Sequence, residues 1–369
     1  MKVGITGQSG FIGYHLTNYL SLKNDEVDLI PFDNSYFSDT EKLRGFVLEC
    51  DTVVHLAGMN RGPDSEVYDC NLRLASQLVK TLEECEAKPY VIFASSTQEE
   101  RSNSYGRSKK DATNLFIDWA IRNNAKFSSL IIPNVFGPFG KPNYNSVVAT
   151  FCYQLTHDLR PKIQIDAVLN LIFVNDLVEY IFNLLKKPSC EFRVYLQSCA
   201  EIRVSEILSK LNYFKESYLK NHIIPVLDEL FDVHLFNTFR SYIDADHFPV
   251  LSALHSDERG KLAEVVKEKT GGQTFYSFTR PGKTRGNHYH RRKIERFFVV
   301  EGVASIKLRR IGSTQIISYK LTGDQHSYVD IPLFYTHNIT NIGETDLLTL
   351  FWTNELFNEE DADTYYEVV

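Results

Sequence analysis

Gly4-Ile-Thr-Gly7-Gln-Ser-Gly10-Phe11-Ile12-Gly13, close to the N-terminus, decides how the first half of this chain folds. The residues before it, Lys2 to Thr6, alternate and read as a strand; those from Phe11 to Leu22 have helical spacing. Gly7, Gly10 and Gly13 therefore lie where a strand turns into a helix. Without Cβ atoms the backbone can turn tightly there. A pyrophosphate can then approach the helix N-terminus, whose unpaired N–H groups and dipole favour an anion. The turn is read as a phosphate cradle.

Working outward, short apolar runs alternate with longer helical patterns. Strands are expected at Val27–Phe32, Thr52–Leu56, Tyr90–Ala94 and Phe127–Pro133, with helices at Asn71–Glu84, Lys109–Arg122 and Val204–Leu211. This alternation predicts an α/β, doubly wound parallel sheet. His222–Tyr242, mixed apolar and aromatic, reads as a helical connector. From about Ser256 the pattern changes to short strands separated by Gly, Asp and Pro turns. They are Thr274–Phe278, Glu295–Val300, Ala304–Arg309, Thr314–Tyr319, Ser327–Ile331 and Leu347–Trp352, which predict an all-β barrel or sandwich. At 369 residues the chain fits two domains, divided as 1–245 and 246–369.

Tyr105-Gly-Arg-Ser-Lys109 places a phenol and an ammonium four residues apart, on one face of a helix. A neighbouring cation lowers a phenol pKa and suits it to general acid work. Ser96, just after the strand at Tyr90, is positioned to hold a substrate oxygen, with Thr97 the alternative hydroxyl if the register differs by one. Asp33, at the end of the second strand, would accept ribose hydroxyls and repel a 2′-phosphate, which favours NAD.

These residues occur in the order found in extended short-chain dehydrogenases/reductases, which the first 240 residues resemble. The glycine turn with its Phe11-Ile12-Gly13 ending is followed by His55-Leu56-Ala57-Gly58, Asn71, Ser96 and Tyr105/Lys109. Pro133-Asn-Val-Phe-Gly-Pro138 and Phe173-Val-Asn-Asp176 complete the series. The resemblance implies NADP(H) or NAD(H) held by Gly7, Gly10, Phe11, Ile12, Gly13, Asp33, Leu56, Ala57, Gly58 and Lys109. It implies a nucleotide-sugar substrate and a catalytic trio of Ser96, Tyr105 and Lys109.

A second constellation lies in Gly282-Lys-Thr-Arg-Gly-Asn-His288-Tyr-His290-Arg-Arg-Lys-Ile-Glu295, closed by Gly302. On a strand, His288 and His290 share a face, and Glu295 can return from the next strand as a third ligand. The spacing resembles the first cupin motif. Asp330-Ile-Pro332-Leu-Phe-Tyr-Thr-His337-Asn-Ile-Thr-Asn341 resembles the second and implies His337 as a further ligand, although Phe334 stands where a glycine is usual. Zn, Mn, Fe and Ni all suit such a set, with zinc the first choice. Lys283, Arg285, Arg291 and Arg292 flank the motif as candidates to meet a diphosphate.

The joined halves resemble the bifunctional capsular-polysaccharide enzymes of the UDP-N-acetyl-L-fucosamine route. The segment Lys141–Tyr153, the nine-residue Ser96-to-Tyr105 interval, and the ending Trp352-Thr-Asn-Glu-Leu-Phe with Asp363-Thr-Tyr carry this narrower likeness. It implies C3 epimerisation of a UDP-2-acetamido-2,6-dideoxy-4-ketohexose in the cupin domain. Reduction of C4 by NAD(P)H in the other domain would then give the L-talose-configured sugar. Tyr289, Tyr335 and His326 are candidates for the epimerising base. Two departures are Ile131, where the branch has an arginine, and the acidic Asp33, where it tends to have a basic residue and to use NADPH. The alternative is an NAD-dependent nucleotide-sugar 4-epimerase or dehydratase with a regulatory or dimerising cupin.

A net charge of −7 argues against nucleic acid as a partner. No apolar run approaches the roughly 18 residues of a membrane span. Six scattered cysteines (Cys50, Cys70, Cys85, Cys152, Cys190 and Cys199) form no CxxC pair, as in a reduced cytoplasmic protein. The sheet edges of a small cupin barrel need covering, so a homodimer is expected.

Overall fold

The computed structural model describes residues 1–189, 191–252, 254–257, 260–263, 266, 272–355 and 358–369. Cys190, and Leu356 and Phe357 of the C-terminal signature, lie outside them. The chain forms two compact units, Met1–Thr150 with Ile165–Val204, and Phe151–Gln164 with Ser205–Val369.

In chain order, the elements up to Phe214 are β1 (Lys2–Thr6), α1 (Phe11–Ser21), β2 (Asp28–Ile30), α2 (Thr40–Glu49), β3 (Thr52–His55), α3 (Asp64–Glu84) and β4 (Tyr90–Ser96). They continue with α4 (Ser104–Asn123), β5 (Phe127–Ile132), β6 (Asn134–Phe136), α5 (Val147–Thr156), β7 (Val168–Phe173), α6 (Val174–Lys186), β8 (Arg193–Tyr195), β9 (Ala200–Arg203) and α7 (Val204–Phe214). Six strands form one parallel sheet ordered β2-β1-β3-β4-β5-β8, and β6-β7-β9 form a small mixed sheet. β3, β4 and β5 are buried along their whole length. That matches their unbroken apolar runs, because a parallel sheet is covered on both faces. Leu16, Leu20, Leu177 and Ile181 cover one face; Phe46, Leu78, Phe116 and Trp119 cover the other.

Two helices begin earlier than their apolar spacing suggests. α3 starts at Asp64 behind Pro63, with Asp64 and Glu66 in its first turn, where carboxylates complement the helix dipole. α4 starts at Ser104 because Asn103 caps it, its side chain accepting from the Gly106 N–H at 2.7 Å. This cap brings Tyr105 onto the same helix as Lys109.

The second unit contains α8 (Leu230–Arg240), inside the expected connector, and the strands β10 (Val250–Leu251), β11 (Leu254–Asp257) and β12 (Gly260–Ala263). The remaining strands are β13 (Gln273–Thr279), β14 (Thr284–Tyr289), β15 (Glu295–Glu301), β16 (Val303–Arg310), β17 (Ile316–Thr322), β18 (Ser327–Ile331), β19 (Tyr335–Asn341), β20 (Leu347–Thr353) and β21 (Tyr365–Tyr366). Two five-stranded antiparallel sheets, β10-β18-β15-β20-β13 and β17-β16-β19-β14-β21, enclose a core of Phe297, Val299, Ile306, Leu308, Ile339 and Phe351. This is the cupin-like β architecture that the turn-rich second half predicts. A buried ion cluster sits against it. Asp330 accepts from Arg296 Nε at 2.7 Å and Nη2 at 3.0 Å, with Arg240 Nη2 at 3.8 Å. Arg296 also stacks on the Tyr328 ring, 3.8 Å from its centroid. Among the described residues no helix is long and apolar enough to cross a membrane.

Candidate active site and metal centre

In the first unit the glycine turn has the geometry of a cradle. Gly7 adopts φ +78°, and a Cβ there would lie 2.8 Å from the Ala57 backbone nitrogen. A Cβ on Gly13 would fall 2.1 Å from the Gly7 carbonyl oxygen, so α1 can approach the turn this closely only with glycine there. Gly10 caps α1 with no side-chain hydrogen bond, which leaves the first N–H groups of the helix for another acceptor. Phe11 and Ile12 are partly buried, Phe11 packing edge-on against His15.

Leu56, Ala57 and Gly58 follow β3 beside this turn, with the Ala57 N–H donating to Thr6 Oγ1 at 3.2 Å. Asn71 clasps the same loop. It accepts from Met59 N at 2.6 Å and donates from Nδ2 toward the Met59 carbonyl at 2.8 Å and Ser108 Oγ at 2.9 Å, tying loop to helix α4. Asp33 is exposed just beyond β2; hydrogen bonds from Ser35, first from its side chain and then from its backbone N–H at 2.8 Å, hold its carboxyl below the usual range.

Ser96 ends β4 and is buried, its Oγ accepting from Gln98 N at 3.2 Å, whereas Thr97 is exposed. Tyr105 and Lys109 lie one turn apart on α4. Lys109 Nζ donates to the Ala94 carbonyl at 2.8 Å and sits 4.7 Å from the Phe93 ring centroid and 5.8 Å from that of Tyr105. Burial pushes the Lys109 ammonium down to about 8, with Glu99 acting the other way. It pushes the Tyr105 phenol up to about 12, with Tyr144 adding to the rise. The sequence argument expects a lowered phenol; in this structure burial outweighs the neighbouring cation. The result is a phenol held protonated, the form a general acid needs.

Two features escape the sequence reading. Glu99 is a buried carboxylate that accepts from Ser95 Oγ and, at 2.7 Å, from Thr113 Oγ1, with Arg193 Nε at 3.4 Å. Arg61 donates to the carbonyls of Asn143, at 2.9 Å, and Tyr144, fastening the Lys141–Tyr144 segment to the loop after β3. Ile131 is buried and apolar, as the departure from the arginine of its branch implies.

In the second unit, His288 lies on β14, His290 just past its end, Glu295 at the start of β15 and His337 in β19. His288 pairs across the ladder with His337 beyond a bulge at Asn287. Each of the four residues offers a ligand atom, and these atoms all lie within 4.8 Å of one another. Glu295 Oε2 is 2.9 Å from His337 Nε2 and 3.2 Å from His290 Nε2, yet none of these three buried atoms has a correctly directed hydrogen bond. Buried polar atoms that converge without partners call for a shared one. Three imidazoles and a carboxylate suit a divalent cation. Burial, with His337 and His290 adding, pushes His288 down to about 4 and keeps it neutral. Against burial, His290 and His337 hold Glu295 well below the carboxylate range, and Glu295 raises His290.

The remaining candidates separate by geometry. Tyr289 points away from the cluster and packs on Tyr365 and Phe334. Tyr335 is half-buried and shares the His337 face of β19, while His326 occupies the turn before β18. Arg285 is engaged with Thr279 and the Phe278 carbonyl, and Arg292 with Glu355 and Asp361. Arg291 is buried, and Lys283 is exposed. Phe334, in the position where glycine is usual, adopts φ +58°. The left-handed turn is retained, secured by the Phe334 N–H donating to the His290 carbonyl at 2.9 Å and by the Ile311 N–H donating to the Phe334 carbonyl at 2.8 Å.

The profile of the NAD dependent epimerase/dehydratase family matches residues 3–195, more than half of the chain. The chain belongs to this family. Residues 255–365 of this epimerase/dehydratase-family protein match a second profile, the polysaccharide biosynthesis C-terminal domain. It is 31% identical over 370 residues to the UDP-2-acetamido-2,6-beta-L-arabino-hexul-4-ose reductase of Pseudomonas aeruginosa, covering 99% of this chain and 98% of that protein. The crystal structure of the capsular polysaccharide assembling protein CapF from Staphylococcus aureus is similar over the full length of both chains, with 32% identity and a TM-score of 0.64. RMD from Pseudomonas aeruginosa, solved with NADPH, shares the fold over 58% of this chain and 82% of its own, at 22% identity and a TM-score of 0.52.

Proposed function

We propose that this protein is a bifunctional nucleotide-sugar enzyme of capsular-polysaccharide type. Residues 246–369 invert C3 of a UDP-2-acetamido-2,6-dideoxy-4-ketohexose, and residues 1–245 reduce its C4 ketone to the L-talose-configured sugar, on the route to UDP-N-acetyl-L-fucosamine. The observation that carries the reading is full-length similarity to a UDP-4-ketosugar reductase, together with a Tyr105–Lys109 pair beside a glycine cradle.

The glycine turn, Asp33 and Leu56–Gly58 would hold NAD(P)H, which would supply the hydride for C4. The other steps belong to side chains. Tyr105, kept protonated by burial, donates its phenolic proton to the C4 oxygen as charge develops there. Ser96 donates a hydrogen bond to the same oxygen. The Lys109 ammonium favours the phenolate that remains on Tyr105 and holds the cofactor ribose. In the other region, His288, His290, Glu295 and His337 would hold a divalent cation, zinc for preference. A cation held there would supply positive charge against the charge that builds on the C4 oxygen when the C3 proton, acidified by the C4 ketone, is removed. The enzyme works in the cytoplasm as a homodimer.

The test is direct. Mixed with the UDP-4-ketosugar, the protein is expected to oxidise NADPH or NADH mole for mole and to yield a product whose proton couplings report the L-talo configuration. No oxidation with either nucleotide overturns the reductase reading. The ionised Asp33 carboxylate predicts that NADH is accepted at least as well as NADPH.

A further inference from the structure

The C-terminal residues 361–367 contribute none of the four ligand atoms, yet they are built around the residues that do. Asp363 is the centre of this strap. Its backbone carbonyl lies 2.6 Å from His290 Nδ1. Its carboxylate accepts from three successive backbone N–H groups, those of Arg291 at 3.2 Å, Arg292 at 2.9 Å and Lys293 at 2.9 Å. The residue is buried and held at φ +43°, a left-handed conformation that aspartate tolerates better than most side chains.

Neighbouring contacts hold the strap from both sides. Arg292 pairs with Asp361 at 2.7 Å, and Lys293 Nζ donates to the Ala362 carbonyl. β21 then adds to β14 where the first ligand stands, pairing Tyr366 with His288 and Tyr365 with Tyr289. Beyond it, the Glu367 carbonyl accepts from Thr336 Oγ1, next to His337, and Glu367 N–H donates to the Asn287 carbonyl at 2.9 Å. One seven-residue segment therefore touches the backbone or side chain beside three of the four ligands.

We propose that Asp363 is a positioning residue for the metal centre: its carbonyl fixes His290 with a proton on Nδ1, which leaves Nε2 as the lone-pair donor aimed at Glu295 and His337. The carboxylate has a separate task. By gathering the N–H groups of residues 291–293, it locks the turn between His290 and Glu295 and holds the Asp363 carbonyl in place. An imidazole whose second nitrogen is bonded to a carbonyl is fixed in tautomer and ring orientation, and is a better ligand for it. This inference rests on the proposed metal-centre reading.

The test uses the full chain with three samples: wild type, Asp363→Gly and Asp363→Asn. Glycine keeps the left-handed backbone and the carbonyl but removes the carboxylate; asparagine keeps a side-chain oxygen and tolerates the same φ. Two readouts are taken. Long-range proton–nitrogen NMR of the metal-free protein reports the His290 tautomer, and Co²⁺ titration followed by its visible d–d absorption reports affinity and coordination. Wild type is expected to show the Nδ1-protonated ring and a defined Co²⁺ spectrum. Asp363→Gly should show a mixed tautomer and bind Co²⁺ about 10- to 100-fold more weakly, with an altered spectrum. Asp363→Asn should lie between them, and it serves as the reading if the glycine variant does not fold. NAD(P)H binding should be the same in all three. Wild-type tautomer and affinity in the variants would overturn the positioning role and leave the metal centre standing. Failure of the wild type to bind Co²⁺ would remove the metal centre and the positioning role together.

Discussion

Replacing Lys109 by methionine removes a buried ammonium while keeping the length of the side chain. Lys109 is 5% exposed, and burial brings its pKa from 10.5 to about 8. Each tenfold displacement of a proton equilibrium is worth about 1.4 kcal/mol, so the buried charge costs the fold on the order of 3 kcal/mol at pH 7. Methionine removes that cost but leaves the Ala94 carbonyl without its donor, worth about 1–3 kcal/mol. The two nearly cancel at pH 7, and the informative quantity is the dependence on pH. Between about 8 and 10.5 the unfolded chain still binds the lysine proton and the folded chain has released it. Wild-type stability therefore rises with pH across that window, by about 2–3 kcal/mol between pH 7 and 10, and that of the variant does not. Tyr105, raised to about 12, acts in the opposite sense only above its unfolded value near 10, and does so equally in both proteins. The chain has two tryptophans, Trp119 in the first unit and Trp352 in the second. Urea unfolding followed by Trp119 fluorescence in a Trp352→Phe background isolates the relevant unit. The variant should also lose about 100-fold or more in turnover. Stability curves for wild type and variant that run parallel from pH 7 to 10 would refute the reasoning.

Three further outcomes are expected. Tyr105→Phe should lower kcat of ketone reduction by about 100-fold or more and leave NAD(P)H affinity, read by nucleotide fluorescence, unchanged. Gly13→Ala, which puts a methyl 2.1 Å from the Gly7 carbonyl oxygen, should weaken NAD(P)H binding at least about tenfold, whereas Gly45→Ala, with nothing within 4 Å, should leave binding intact and stabilise α2 by about 0.5–1 kcal/mol. Asp330→Asn strips two buried guanidiniums of their carboxylate and should cost the second unit about 3–5 kcal/mol, read from Trp352 fluorescence in a Trp119→Phe background.

Much of this architecture is legible in the sequence because its signals are local. The glycine turn, the buried apolar strands and the His288, His290 and Glu295 candidates each follow from spacing a few residues long, whereas His337 enters only through the resemblance to the second cupin motif. Where helices start with polar turns, as at Asp64 and Ser104, apolar periodicity misses the start, since it records only the buried face. β14 and β19 were legible through their ligand motifs and not through alternation. Properties set by burial were out of reach. Nothing in Tyr105–Lys109 says that desolvation outweighs their mutual influence. Contacts between distant segments were equally hidden: Asp363 acts on a histidine 73 residues away, and Glu99 is one of two adjacent glutamates with no mark to distinguish it. Phe334 is instructive in the other direction. Its glycine-like position is a sequence expectation, and its φ of +58° supplies the physical reason.

The central claim is that one chain carries two chemistries, the first of them proton exchange at C3 in the cupin-like region. The most direct test is proton NMR of the UDP-4-keto-6-deoxy-N-acetyl sugar in D2O, with enzyme and without nicotinamide, comparing wild type with His288→Ala. Deuterium entering C3 with the wild type and not with the variant is the predicted result. No exchange with the wild type, or equal exchange with both, would contradict the account.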